Sequence, residues 1–171
     1  MPDKLAEPDL LRALQALAAR RTTPTQLILG GAGALILTGE LPRATSDCDV
    51  LYSTPDMGAL QEDIRAVAQQ LGLPAGWLNG SIQSYLDILP ADYRDRLRTL
   101  AIPGRLQVAV LHRRDVLVMK FYAGRPRDLA DIEQLAPSRA ELDFVRSQLP
   151  RLEAIHPARA ARVSAALSSY D

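Results

Sequence analysis

Hydrophobic and polar positions in the first forty residues follow two different periods. The segment PDLLRALQALAAR places leucines at helical spacing, which predicts an N-terminal helix. TQLILGG is a short apolar run that ends in two glycines, a pattern typical of a buried strand. AGALILTG then combines small residues and leucines, and it predicts a helix that packs closely on that strand and ends near Gly39. The expected unit is therefore strand, glycine turn, helix.

The same alternation continues through the middle of the chain. DCDVLYS predicts a second strand, and DMGALQEDIRAVAQQLG predicts an amphipathic helix closed by Gly72. LRTLAI and RLQVAVLH are joined by a Pro-Gly turn and predict an antiparallel pair of strands. The segment around Trp77 contains many turn-forming residues, so only short elements are expected there.

Helical patterns fill the remainder of the chain. RDVLVMKFYAG, RDLADIEQLA and the segment from Pro137 onward predict helices. Prolines mark the expected helix starts, at positions 126, 137, 150 and 157. We therefore expect an α/β (α+β) fold that forms one compact unit. A short mixed sheet flanked by helices would occupy residues 1–136, and a helical C-terminal segment, residues 137–171, would pack on it.

Composition restricts the classes of function. The 20 basic and 20 acidic residues cancel, so any attraction to nucleic acid or to an anionic membrane must be local. Cys48 is the only cysteine, which excludes an internal disulfide and a cysteine-built zinc site and fits a reducing compartment. The apolar runs are shorter than the roughly 20 residues that cross a bilayer. We expect a soluble cytoplasmic protein with no membrane partner.

The first chemical signal is the pair of glycines at the end of the first predicted strand. Gly30 and Gly31 lie where the chain turns from that strand into the next helix, whose first N–H groups have no partner within the helix. The N-terminus of a helix attracts anions, and glycine lets a phosphate approach the backbone. This turn therefore predicts a phosphate site.

The second signal is a pair of carboxylates at the start of the next predicted strand. Asp47 and Asp49 are one residue apart, so their side chains are expected on the same face of the strand. Two carboxylates there repel each other unless a cation lies between them, and Mg²⁺ prefers oxygen ligands of this kind. Cys48 and Val50 would then face the core. A lone Gly-Gly or Asp-x-Asp is usually a plain turn or a solvated pair, and it is their combination that favours a site.

This combination resembles the nucleotidyltransferase superfamily, whose short motif is Gly-Gly or Gly-Ser, a spacer and Asp-x-Asp. Here the motif reads GGAGALILTGELPRATSDCD, and LVMKFYAGRPRDLADI supplies the later lysine and the Arg-Asp pair of a bacterial branch that includes abortive-infection type enzymes. Some members of that branch are toxins of toxin-antitoxin pairs. The resemblance spans about residues 27–135.

The resemblance implies transfer of a nucleoside monophosphate from an NTP to an acceptor hydroxyl, with pyrophosphate leaving. It does not identify the acceptor, which is RNA, a protein or a small molecule. It implies three sets of residues. Catalysis falls to Asp47, Asp49 and Lys120, of which the two aspartates hold Mg²⁺ and the lysine neutralises phosphate charge. Nucleotide binding falls to Gly30, Gly31, Arg43 and Thr45. Arg127 and Asp128 would position the catalytic and nucleotide-binding residues, with Asp128 holding Lys120 or Arg125 in place.

One departure from the superfamily pattern leaves a second interpretation open. Many active nucleotidyltransferases carry a third carboxylate on a later strand, yet LRTLAI and RLQVAVLH contain neither Asp nor Glu, and Thr99 or Gln107 takes the corresponding place. Either the chain works with fewer carboxylates, or it is a catalytically degenerate module that binds nucleotide or a protein partner such as a toxin.

Overall fold

The computed structural model describes residues 4–170, in which eight helices surround one five-stranded sheet. This arrangement confirms the predicted mixed α/β fold. The strands are β1 (Thr25–Gly30), β2 (Cys48–Thr54), β3 (Leu78–Asn79), β4 (Arg98–Leu100) and β5 (Leu106–Val110). The helices are α1 (Glu7–Arg20), α2 (Gly31–Leu37), α3 (Met57–Leu71), α4 (Arg113–Ala123), α5 (Pro126–Leu135), α6 (Arg139–Ser147), α7 (Leu149–Ile155) and α8 (Pro157–Leu167). Short 3₁₀ turns occupy Gln83–Ile88, Tyr93–Arg96 and Ser168–Tyr170.

The sheet is open and mixed, with the strand order β3-β2-β1-β5-β4. Strand β1 lies at its centre, antiparallel to β2 and parallel to β5. Strands β4 and β5 form the antiparallel pair that the Pro-Gly turn predicted. The apolar run of β1 is buried in the core, as the absence of polar alternation in the sequence indicated.

Helix α2 packs unusually close to the sheet. It begins at the residue that follows β1 and contacts β1, β2 and α4. A Cβ atom at Gly33 would lie 2.8 Å from the Sγ atom of the buried Cys48, so only glycine allows this approach. Cys48 and Val50 both face the core with no exposed surface, which confirms the inward face expected for β2.

Glycine and proline residues mark several helix ends, as the sequence predicted. Gly72 ends α3 in the left-handed conformation, with φ of 65°, as its position in the sequence predicted. The four prolines lie within the first turn of α5, α7 and α8 or directly before the cap of α6. The segment around Trp77 forms the two-residue strand β3 and two 3₁₀ turns.

Helices α6 and α8 pack on α4, and α7 packs on the 3₁₀ turn Gln83–Ile88 and on its neighbouring helices. Their buried side chains, among them Val145, Leu152 and Val163, belong to the same hydrophobic cluster as the sheet residues. No helix within residues 4–170 has both the length and the apolar character that a membrane-crossing segment needs.

Candidate functional site

Three neighbouring strands bring the glycine pair and the aspartate pair together. In the register of β1 and β2, Gly30 lies opposite Asp49. In the register of β2 and β3, Asp49 lies opposite Asn79. The turn from β1 into α2 therefore adjoins the first residues of β2, as the sequence motif required.

Gly31 is the residue that makes room for a carboxylate. Its φ angle is +61°, a left-handed conformation that residues with a Cβ atom rarely adopt. A Cβ atom built there would lie 2.7 Å from the Oδ2 atom of Asp49, closer than real Cβ contacts come. The missing side chain of Gly31 thus leaves space that the Asp49 carboxylate occupies, while Gly30 is buried beside Ile82.

The Asp49 carboxylate is partly buried, and its negative charge is disfavoured by that burial and by the nearby charge of Asp47. The Ser81 hydroxyl donates a hydrogen bond to Oδ1 of Asp49 at 2.9 Å. Burial, followed by the negative charge of Asp47, raises the pKa of Asp49 above its ordinary value, although Ser81 and the charges of Arg125 and Arg127 act against this. A bound cation would relieve the same repulsion.

Asp47 lies in the loop one residue before β2, so the expectation that both aspartates belong to the strand holds for Asp49 only. The Asn79 side-chain amide donates a hydrogen bond of 3.3 Å to Oδ2 of Asp47. Asn79 also accepts the backbone N–H of Ser81 at 3.0 Å. Asn79 and Ser81 therefore hold both carboxylates in position through hydrogen bonds. The sequence analysis missed this role, because the only sign of it in the sequence is the turn-forming run LNGS.

The donor set fits a hard divalent cation. Asp47 and Asp49 offer carboxylate oxygens. Because Gly31 has no side chain, no Cβ atom of that residue crowds the Oδ2 atom of Asp49. Within residues 4–170, no group of three or more His, Cys, Asp or Glu side chains is placed to hold a metal ion. A metal here would have two protein carboxylates and would complete its shell with water and substrate, which is how Mg²⁺ is commonly bound.

Lys120 lies at the end of α4, where it is buried rather than solvated, with 4% of its surface exposed. Its Nζ atom donates hydrogen bonds to Oδ2 of Asp131 at 2.7 Å and to Oδ1 of Asp128 at 3.4 Å. Asp128 also accepts a hydrogen bond of 2.6 Å from Nε of Arg125. Asp128 thus accepts hydrogen bonds from both Lys120 and Arg125.

Arg43 and Thr45, which the resemblance assigned to nucleotide binding, do not line the cleft at Asp49. The Arg43 guanidinium makes two hydrogen bonds of 2.8 Å to the two carboxylate oxygens of Asp131, so it belongs to the ion-pair network of Lys120. Burial alone would raise the pKa of Asp131, but the hydrogen bonds from Arg43 and Lys120, together with their charges, lower it. Thr45 is buried and pairs with the backbone of Leu5, outside the cleft at Asp49.

A small cleft, with a cavity volume of about 30 Å³, lies between the Gly31 turn and helices α4 and α5, and neither Asp47 nor Gly30 lines it. Gly31, Asp49, Lys120, Arg127 and Asp128 of the predicted set line it. Its other walls include Ile82, Tyr85, Met119, Arg125 and Asp131. Arg125 and Tyr85 were not among the site residues predicted from the sequence. Arg125 places a long cationic side chain in the same cleft as the Asp49 carboxylate.

Comparison with known proteins agrees with this geometry. A family model described as "Nucleotidyltransferase of unknown function (DUF6036)" matches residues 9–155. The chain belongs to this nucleotidyltransferase family. The match confirms the superfamily resemblance but does not extend to the abortive-infection branch. Neither a curated protein nor a solved structure matches the chain.

For a member of a nucleotidyltransferase family, the missing third carboxylate is the clearest departure in the site. Thr99 is exposed on β4, and Gln107 on β5 accepts a hydrogen bond of 3.1 Å from Gln26; neither lines the cleft. Asp115, the acidic residue that follows β5, is fully buried and makes two hydrogen bonds to Arg96. Besides Asp49, the carboxylates that line the cleft are Asp128 and Asp131, and both are engaged by cations.

Proposed function

We propose that this chain transfers a nucleoside monophosphate from an NTP to an acceptor hydroxyl in a Mg²⁺-dependent reaction. The acceptor oxygen bonds to the α-phosphorus, and the bond between that phosphorus and the oxygen bridging to the β-phosphate breaks. Pyrophosphate leaves, and the hydroxyl proton passes to water. The acceptor is a hydroxyl of RNA, of a protein or of a small molecule.

The observation that carries this proposal is the contact between Gly31 and Asp49. A left-handed glycine at a strand end, with a carboxylate in the space of its absent Cβ atom, places a backbone turn and an acidic group in one cleft. The turn suits phosphate oxygens, and the carboxylate suits the cation that accompanies them. A plain tight turn has no need of a partly buried acid at this position.

The cleft also supplies positive charge where a triphosphate would lie. Lys120, Arg125 and Arg127 line it together with Gly31. Arg125 is largely exposed and bound to Asp128, so its guanidinium can exchange that partner for a phosphate. Asp47 and Asp49 would hold Mg²⁺, and the ion neutralises developing charge on the transferring group when bound.

A catalytically degenerate module that binds a nucleotide or a protein partner, such as a toxin of a toxin-antitoxin pair, is the second candidate. It is favoured by the absence of acidic residues on β4 and β5 and by the engagement of Lys120 with two aspartates. Such a module would keep the Gly31–Asp49 cleft and bind NTP, but it would not release pyrophosphate.

Calorimetric titration of ATP, GTP, CTP and UTP, with and without Mg²⁺, tests the proposal. We expect at least one NTP to bind in a Mg²⁺-dependent manner, and we expect Asp49→Asn to weaken that binding tenfold or more. Asp143→Asn is the matched control, since Asp143 is an exposed aspartate on α6. Transfer of the α-³²P label to RNA or protein, with release of pyrophosphate, then separates enzyme from binding module.

Each outcome decides between the candidates. Mg²⁺-dependent binding with label transfer supports the enzyme, whereas binding without transfer supports the degenerate module. If no NTP binds the wild-type chain, or if Asp49→Asn and Asp143→Asn bind equally well, the nucleotide site is wrong.

A further inference from the structure

A second hollow adjoins the cleft on the side of the loop before β2. Its cavity volume is about 470 Å³, which lies in the range of ligand pockets. Lys4, Arg43, Thr45, Ser46 and Arg127 contribute polar groups to its lining, and we call it the Lys4–Arg127 hollow.

The lining of this hollow has a net positive charge, with three cations and one carboxylate. Arg43 is neutralised by Asp131, the acidic residue in the lining. Lys4 and Arg127 are exposed, and neither makes a salt bridge within the part of the chain that the structure describes. Two cations outside any salt bridge of the described residues therefore line this hollow, although the chain as a whole has a net charge of zero. Local positive charge of this kind is what binds phosphate groups.

One accessible hydroxyl group, that of Ser46, adds to this lining. Ser46 is exposed and donates only a long hydrogen bond, of 3.4 Å, to the carboxylate of its neighbour Asp47. The Oγ1 atom of Thr45 is buried and has no hydrogen-bond partner among residues 4–170. Because this atom has almost no exposed surface, Ser46 is the hydroxyl that a ligand in the hollow can contact.

The hollow and the cleft share a wall. Arg127 and Asp131 line both of them. A ligand bound in the hollow would thus lie beside the NTP phosphates, where the second substrate of a transfer reaction must lie.

We infer that the Lys4–Arg127 hollow binds a phosphate group of the acceptor, so that the acceptor is a phosphate-bearing molecule with a free hydroxyl. This inference rests on the proposed function and names the substrate class of the same site. Phosphate of this kind can come from an RNA strand or from a mononucleotide. In both cases the phosphate binds at Lys4 and Arg127, and the acceptor hydroxyl extends past Arg127 into the cleft.

Fluorescence anisotropy with a labelled single-stranded RNA octamer tests the inference, with AMP and inorganic phosphate as competitors. The full chain is used, both alone and with the cleft occupied by a non-hydrolysable NTP analogue and Mg²⁺. We expect Lys4→Gln to weaken octamer binding three- to tenfold and to lower the slope of log K against log salt by about 1, the change for one lost phosphate contact. Arg162→Gln, which removes one charge from the exposed surface of α8, should leave both values unchanged.

The competitors separate the two sources of phosphate. Octamer binding that AMP and phosphate displace poorly identifies an RNA strand, and displacement at similar concentrations identifies a mononucleotide. The inference is overturned if neither the octamer nor AMP binds, or if Lys4→Gln and Arg162→Gln weaken binding equally.

Calorimetry of NTP and Mg²⁺ on the same variants distinguishes this failure from failure of the proposed function. Lys4 does not line the cleft, so Lys4→Gln should keep NTP affinity within twofold of wild type. Intact NTP binding without phosphate binding in the hollow removes only the acceptor assignment. Loss of NTP binding in the wild-type chain removes the proposed function itself.

Discussion

Gly31 is subject to two separate constraints, and a second glycine allows them to be measured apart. Gly31 and Gly39 both have left-handed backbone conformations, with φ of +61° and +74°. A Cβ atom at Gly31 meets the Asp49 carboxylate, whereas one at Gly39 has nothing within 4 Å. Both alanine variants should lose about 1 kcal/mol of unfolding free energy from backbone strain.

Only Gly31→Ala should also abolish Mg²⁺-dependent NTP binding, because its methyl group displaces Asp49. Urea denaturation gives the stability of each variant, and calorimetry gives the binding. Equal loss of NTP affinity in Gly31→Ala and Gly39→Ala would show that the contact with Asp49 has no part in the site.

The Asp49 carboxyl should make the metal-free fold less stable at neutral pH. Its pKa is raised in the folded chain by burial and by Asp47, so the folded state holds the proton more tightly than the unfolded state does. Its contribution to stability is therefore complete below the unfolded pKa, about 3.9, and is lost as pH rises through the raised folded pKa.

Asp49→Asn should accordingly raise the unfolding free energy at pH 7 by a few tenths to about 1 kcal/mol, the scale of a screened interaction between like charges. The gain should vanish as pH approaches 4. Chemical denaturation in EDTA between pH 4 and 8 measures both effects. A variant less stable than wild type throughout this range would contradict the electrostatic argument.

At the scale of elements, the most consequential contact is the one that ties α4, α5 and the loop before β2 together. Asp131 on α5 is 4% exposed and accepts hydrogen bonds from Lys120 of α4 and from Arg43 of the loop. Removing one member of a buried ion pair leaves the other charge without compensation. Asp131→Asn should therefore lower the unfolding free energy by about 3 kcal/mol. The loss is not larger because Lys120 keeps its second partner, Asp128.

The pH dependence of this contribution has the opposite sign to that of Asp49. Because the partners lower the folded pKa of Asp131, its stabilisation is present above the unfolded pKa and is lost as pH falls through the folded value. Asp143→Asn, which removes an exposed aspartate also paired with two arginines, should cost less than about 1 kcal/mol. Equal costs for the two variants, measured by urea denaturation at pH 7, would contradict a structural role for the network.

The same elements show what the sequence could and could not predict. The strand, glycine turn and helix from β1 to α2 are determined by neighbouring residues, and their prediction is confirmed. Strand β3 has two residues, too few for any period to be visible, so Asn79 and Ser81 were missed although they bond both aspartates. Arg43 and Asp131 are 88 positions apart, and sequence spacing alone cannot show that a basic residue in a loop has a carboxylate partner on a distant helix.

At the scale of the whole molecule, the buried side chains of the C-terminal helices join the core of the sheet. Leu152 of α7 and Trp77 next to β3 are both fully buried and belong to one hydrophobic cluster. Helix α4, which carries Lys120, also lies against α6 and α8. The geometry of the cleft therefore depends on helices that contribute no side chain to its lining.

This shared core predicts that the chain unfolds in a single transition. Trp77 is the only tryptophan, so its fluorescence reports on the sheet, while far-UV circular dichroism is dominated by the helices. Leu152→Ala should lower the unfolding free energy by about 3 kcal/mol through the cavity that it creates. In a single cooperative unit both signals must shift together by that amount, because loss of packing in α7 is then felt at Trp77. If circular dichroism shifts while the Trp77 transition stays in place, the C-terminal helices unfold independently, and the cleft does not depend on them for its stability.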